Sequence, residues 1–246
     1  MFPAQAIEEF KNQGFCVLRN HFDSYLVHEC REAFWPRMLA YIDSAKANRG
    51  PHRYFLPMPF DPRCFMPQFF FDPDVITIVQ GLMGDHIVAD QWGCDVPLQG
   101  SEYQNFHLDY QRPLFAELPD LILPPYALVV SFGLVQIPRE RGPIEIVPGT
   151  HRMTKESALK AIQDKEIDAQ TVCLELGDVL IRHPWAWHRG TPNTTGIPRA
   201  LCTIRYVRRW YADASRDVEQ MPRTVWESLT AEQQSFMRFP LRSLMD

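Results

Sequence analysis

The sequence predicts a mainly β protein with flanking helices, built on a jelly-roll-type barrel, and three observations carry that prediction. Helical periodicity is confined to the first third of the 246 residues and to a short stretch near the end. From Gly84 onward the chain breaks into short apolar or alternating runs separated by Pro, Gly and Asn, the mark of successive strands. Helices precede the strands instead of alternating with them, which argues against βαβ units and a parallel sheet.

Taken in order, Ala4 to Gln13 places apolar residues at helical spacing and stops at Gly14, and Asp23 is placed to cap a longer helix reaching about Asn48, broken or kinked near Pro36. The Pro-rich, aromatic stretch from Gly50 to Phe71 reads as an ordered loop, because so many large apolar groups do not stay in water. Asp72 or Asp74 opens a short helix that ends at Gly84. Strands are predicted at His86 to Asp95, Gln104 to Tyr110, Pro125 to Ile137, Ile144 to Val147, Thr171 to Glu175, Val179 to His183 and Ala200 to Trp210. A closing helix is expected from Arg223 to Met237. The division is therefore a helical flank and ordered loop over 1–85, a β core over 86–210 and a helical tail over 211–246, all within one domain.

Composition narrows the function. Apolar residues make up 46% and charged residues 22%, enough for a sizeable core with an ordinary soluble surface. A net charge of -5 provides no positive field for nucleic acid, so a small-molecule partner is expected. The basic run Arg205 to Arg209 lies in an apolar strand and reads as a solvated strand face. Six scattered cysteines match no zinc or redox spacing and are read as reduced thiols. Glu8, Glu9 and Lys11 interrupt the first apolar residues, no run approaches a membrane span, and a cytoplasmic protein is the default expectation.

The chemistry gathers at two places. In His107-Leu108-Asp109 the period of two along a strand sends the imidazole and the carboxylate to one face. Two histidines and one carboxylate on one face of an octahedron are the usual protein ligands of oxygenase iron, so one more histidine is required. The stretch from Gly177 to Asn193 delivers His188 at the end of a strand. Eleven residues later Arg199 opens another strand, and an inward arginine needs an anion to justify its burial.

This order of residues, His-x-Asp, then Pro148 to Arg152 (Pro-Gly-Thr-His-Arg), Gly-Asp-Val-Leu, a distal histidine and an arginine eleven residues on, resembles the phytanoyl-CoA dioxygenase family over roughly Gln91 to Arg209. The resemblance implies a double-stranded β-helix (jelly-roll, cupin-like) core, Fe(II), 2-oxoglutarate as cosubstrate and O2. It matches His107, Asp109 and His188 to the iron ligands and Arg199 to the arginine that binds the cosubstrate carboxylate. It implies a dioxygenase, with hydroxylation of a small metabolite and release of succinate and CO2 as the expected outcome. Desaturation, epoxidation and ring formation use the same residues, and a metal-binding barrel without oxygenase activity is the alternative of another class. The retained Asp109 speaks against halogenation, which needs a small residue at that position.

The chain departs from the family pattern in places. Gly190 stands where relatives often carry a serine that helps hold the cosubstrate, so Thr191 is the expected substitute. Leu108 stands where Gln or Ser is common, and Leu134 to Ile137 lack the acidic residues usual there. Gln91 is a further candidate for cosubstrate binding, and Tyr103, Trp187 and Arg112 are candidates for the substrate, with Arg53 a second possible anchor for an acidic one. His183 faces away from His188 and is expected to be a core or supporting residue, while His151 is expected to stabilise its turn.

Overall fold

The computed structural model describes residues 2–109, 114–118, 120–212 and 220–242. The helical flank begins with α1 (Pro3–Gln13), which has proline in its first turn and ends at Gly14 with φ 83°, a left-handed position that suits glycine. After β1 (Phe15–Leu18) comes α2 (Ser24–Ser44), where the Asp23 carboxylate accepts from the Tyr25 N–H; the helix runs on through Pro36. Next are β2 (Arg53–Pro57), the single turn α3 (Pro67–Phe70) and α4 (Pro73–Met83), which Asp72 caps by accepting from Val75 N–H.

The remaining strands are β3 (Ile87–Pro97), β4 (Ala127–Gly133), β5 (Ile144–Ile146), β6 (Gln170–Val172), β7 (Val179–Arg182), β8 (His188–Gly190) and β9 (Leu201–Arg208). Helix α5 (Lys155–Gln163) sits between β5 and β6, and α6 (Arg209–Ala212), α7 (Arg223–Ser228) and α8 (Ala231–Ser235) follow β9. A six-stranded sheet in the order β1-β7-β4-β9-β3-β2 faces a three-stranded sheet in the order β6-β5-β8, and every pairing within them is antiparallel. This is the jelly-roll architecture predicted.

The period of two divides the large sheet between two tasks. Trp92 and Cys94 of β3, Val130 and Phe132 of β4, and Cys202 and Ile204 of β9 are buried with Phe34, Met38, Val75 and Ile78 of the helices in the main core. Burying each such side chain contributes about 1.5–3 kcal/mol, so this face fixes the register of the whole sheet. The intervening residues, Gln91, Val129, Ser131, Thr203 and Arg205 among them, turn to the barrel interior and line its cavity.

Several expectations are corrected. Gln104 to Tyr110 is no regular strand: its hydrogen bonds reach Gly190 O, His188 O and Pro184 O in turn, because β8 is too short to sustain a ladder. Tyr110 lies outside the described residues. The stretch read as loop contains β2, whose ladder with β3 spans Arg53↔Pro97 to Pro57↔Gly93. β1 and α5 were not predicted; α5 is opened by Thr154, whose hydroxyl accepts from Ser157 N–H. The closing helix divides at Thr230, which starts a new capping box with Gln233. Arg205 is not solvated: it is 7% exposed and doubly bonded to Asp90.

Candidate metal centre

His107, Asp109 and His188 each bring one ligand atom to a common point, and these atoms all lie within 4.8 Å of one another. Among the described residues no other group of three His, Cys, Asp or Glu side chains does so. His188 opens β8, and the paired amides of His107 and His188 bond each other's carbonyls at 2.9 and 3.1 Å, which brings the two histidines side by side. His107 Nδ1–H donates to Asn105 O at 2.8 Å and His188 Nδ1–H to Ala186 O at 2.9 Å. A carbonyl can only accept, so both Nδ1 atoms carry the proton and both Nε2 lone pairs are left for a metal.

Asp109 is divided between two neighbours. Its Oδ2 accepts from Arg182 Nη1 at 2.7 Å and its Oδ1 stands 3.4 Å from His188 Nε2. Burial alone raises the carboxyl's pKa, but the Arg182 guanidinium and His188 outweigh it and hold the group well below the usual carboxylate range. Burial and the neighbouring His188 lower the pKa of His107, favouring the neutral imidazole that a metal requires. Two neutral nitrogens and one anionic oxygen, oriented by backbone carbonyls and a guanidinium, are a donor set suited to a ferrous ion.

The centre opens on a cavity of about 510 Å³, lined among others by Gln91, Asp95, Gln104, Arg199 and Arg205. Arg199 is 1% exposed; its Nε donates to Gly142 O at 2.9 Å and its Nη1 to Asp95 Oδ2 at 3.1 Å. Arg53, buried behind it, has its pKa pushed down to about 10 by burial and by Arg199. Two guanidiniums therefore face one carboxylate at this end, an excess of one positive charge that favours an anion.

The other expected site residues take varied places. Gln91 lines the cavity opposite Arg205 across the β3–β9 ladder. Thr191 does not line it; its buried hydroxyl donates to Pro143 O at 2.7 Å. The space a side chain at 190 would need is filled instead by Arg53 and Gln104, since a Cβ there would lie 2.6 Å from Arg53 Nη1 and 2.8 Å from Gln104 Oε1. Arg53, considered as an anchor for an acidic substrate, is buried, and its Nη2 donates to Glu102 O and Thr191 O. Tyr103 is exposed, with the Arg189 guanidinium over its ring, and Trp187 is buried against Val147 and Ala158 on the far side of the strand from the metal cavity. Arg112 lies outside the described residues. His151 Nε2–H donates to Lys11 O, holding its turn to α1, and His183 packs between Phe10, His151 and Trp185.

Sequence reasoning passed over Arg182, Asp95 and Gln104. Arg182 had a signal, since the alternation that buries Leu180 against Val17 and Leu201 sends Arg182 to the same interior face. Asp95 and Gln104 had none, because their partners lie 104 and 86 residues away in the chain.

The pattern described for phytanoyl-CoA dioxygenases (PhyH) matches residues 10–201. The chain belongs to the phytanoyl-CoA dioxygenase family. With the family comes its class, the iron- and 2-oxoglutarate-dependent oxygenases. The solved structures that the chain resembles agree in fold. The non-heme alpha-ketoglutarate-dependent carbocyclase SnoK from nogalamycin biosynthesis superposes with a TM-score of 0.66 at 16% identity, over 84% of this chain and 86% of that one. The epimerase SnoN of the same biosynthesis gives 0.63 at 16% identity, over 83% and 82%. AviO1 from Streptomyces viridochromogenes Tue57 gives 0.64 at 15% identity, over 88% and 98%. SnoN has also been solved in complex with Fe3+, alpha ketoglutarate and nogalamycin RO. No helix among the described residues is long and apolar enough to cross a membrane.

Proposed function

We propose that His107, Asp109 and His188 hold Fe(II), that Arg199 grips the distal carboxylate of 2-oxoglutarate, and that the whole chain works as one unit to hydroxylate a small-molecule metabolite. The observation that carries this reading is the convergence of three ligand atoms within 4.8 Å, with both Nδ1 positions already occupied. When bound, iron and cosubstrate together supply the activation of O2 and the oxidising power that removes a substrate hydrogen, with succinate and CO2 as coproducts.

The chain's own residues contribute orientation and charge. Arg182 occupies Oδ2 of Asp109, which leaves Oδ1 as the oxygen that would hold the metal. Arg199, held by Gly142 and Asp95 and backed by Arg53, presents a fixed cationic end for a diacid lying along the cavity. Asp95 is one-third exposed and shares Arg199 with the incoming carboxylate, which moderates its grip. Gln91 and Gln104 add neutral polar contacts along the wall.

The test is an anaerobic titration of the protein with Fe(II) and then 2-oxoglutarate, following the visible charge-transfer band. A band that forms in the native protein and disappears in His107→Ala and Asp109→Ala, together with loss of substrate-dependent succinate release, is the expected result. Full turnover in either variant would refute the assignment, and iron binding without any consumption of 2-oxoglutarate would favour a binding module.

A further inference from the structure

A second cavity lies back to back with the metal centre. Along the 107–109 segment His107 and Asp109 face the metal cavity, whereas Leu108 points the other way into a recess of about 250 Å³. The strand alternation repeats this division at Arg182 and His183, and at His188 and Trp187. The recess is walled by Leu108, Met153, Trp185, Trp187 and Tyr126, and bordered by apolar side chains of residues 114–118 and 121–123. Phe115, Leu118, Leu121 and Ile122 among them are between 47% and 55% exposed, a concentration of apolar surface that water disfavours.

One ring N–H in the recess, that of His183, has no protein acceptor. His183 is 96% buried, its Nδ1 accepts the Trp185 N–H at 3.1 Å, and its ring proton is therefore on Nε2. Among the described residues that Nε2–H has no acceptor, and it is not one of the sealed, orphaned polar atoms of the fold, so it stays open to a group entering the recess. Burial pushes His183 down to about 3 and the neighbouring His151 down to about 4, so the imidazole is a neutral donor at ordinary pH. The ionic residues of the lining, Lys155 and Asp120, are exposed at the rim.

We infer that this recess is a binding site, separate from the metal cavity, for an uncharged ring compound carrying one acceptor oxygen, such as an aryl ketone. The indoles and Tyr126 supply flat apolar walls, and His183 Nε2–H donates to the oxygen. Size agrees: a dry apolar cavity of about 150 Å³ accommodates benzene, so this one takes a substituted ring. An anion is disfavoured, because no cation reaches the floor and its desolvation goes uncompensated.

The experiment is fluorine NMR of 4-fluoroacetophenone with the full-length protein free of iron, alongside 4-fluorobenzoate and fluorobenzene. The ketone signal is expected to broaden and shift saturably, while the benzoate signal is expected to be the same with the native protein and with a variant whose recess is blocked. Met153→Trp, which fills the recess, should abolish ketone binding. His183→Phe should weaken the ketone about fivefold and leave fluorobenzene unchanged, the effect of one neutral hydrogen bond. Should Met153→Trp fail to fold, Ile122→Arg at the exposed rim serves the same purpose. Absence of ketone binding to folded protein, benzoate binding that the blocking variant removes, or ketone binding untouched by the blocking variant would each overturn the inference, and none of these results depends on the iron site.

Discussion

Gly190 offers the sharpest test of how the cosubstrate end of the cavity is built. A methyl group added there would stand 2.6 Å from Arg53 Nη1 and 3.1 Å from its Cζ, well inside contact distance. The guanidinium cannot simply swing away, because Nη2 is committed to Glu102 O at 2.6 Å and Thr191 O at 2.7 Å in a buried setting. Gly190→Ala must therefore stretch or break at least one charged hydrogen bond, each contributing about 1.5–3 kcal/mol. We expect a loss of about 2–4 kcal/mol in stability, read by urea denaturation, and a weaker grip on 2-oxoglutarate as Arg53 pushes on Arg199. In an Arg53→Ala background the same change should cost far less, since only Gln104 Oε1 at 2.8 Å then remains in the way. The double-mutant cycle isolates this coupling. Strictly additive effects of Gly190→Ala and Arg53→Ala would show that the guanidinium is not what excludes a side chain at 190.

Four further outcomes follow from the geometry. Arg182→Met frees Asp109 Oδ2 and should reduce iron affinity about 10–100-fold, measured by competition with a chelator, while the fold persists. Arg199→Lys keeps a charge but loses the fork, so KM for 2-oxoglutarate should rise at least about tenfold with kcat less affected. Asp90→Asn breaks a buried, doubly bonded pair with Arg205 and should cost about 3–5 kcal/mol by denaturant unfolding. His183 and His151 have folded pKa values depressed by burial, so the unfolded chain binds more protons below about 6.5, and the stability they contribute is complete above that pH and lost as it falls toward 4 and 3. The stability of His183→Phe should accordingly depend less on pH between about 6.5 and 3 than that of the native protein.

What the sequence disclosed and what it withheld follow a physical division. Local signals survived: Asp23 and Asp72 cap α2 and α4, Gly14 ends α1, and the alternating runs became β3, β4 and β9. The first two candidate ligands were legible from short-range context, a histidine with a carboxylate two residues on, whereas the second histidine, expected to end a strand, instead opens β8. Hidden from view was everything decided by a partner far along the chain. Arg53 reads as a possible anchor for an acidic substrate in a Pro-rich loop until β2 is laid against β3, and Thr191 reads as a stand-in for serine until Pro143 claims its hydroxyl. Arg205 looks solvated until the bulge between Ala89 and Gln91 brings Asp90 to it.

The segment carrying His107 and Asp109 shows why a mistaken element need not misplace a site. The strand predicted there does not exist as a ladder, yet alternation persists, with His107 and Asp109 facing one cavity and Leu108 the other. Alternation needs only an extended backbone, and three amide hydrogen bonds, from Gln104, His107 and Asp109, are enough to hold that conformation along the edge of β8 and the turn before it. The same extension lets each imidazole close on a carbonyl two residues back, Asn105 O and Ala186 O, so orientation of the nitrogen donors is settled locally. Only the carboxylate depends on a distant group, Arg182. The centre therefore rests on two self-oriented imidazoles and one imported constraint, and it is at Arg182 that a substitution can loosen the ligand set without removing a ligand.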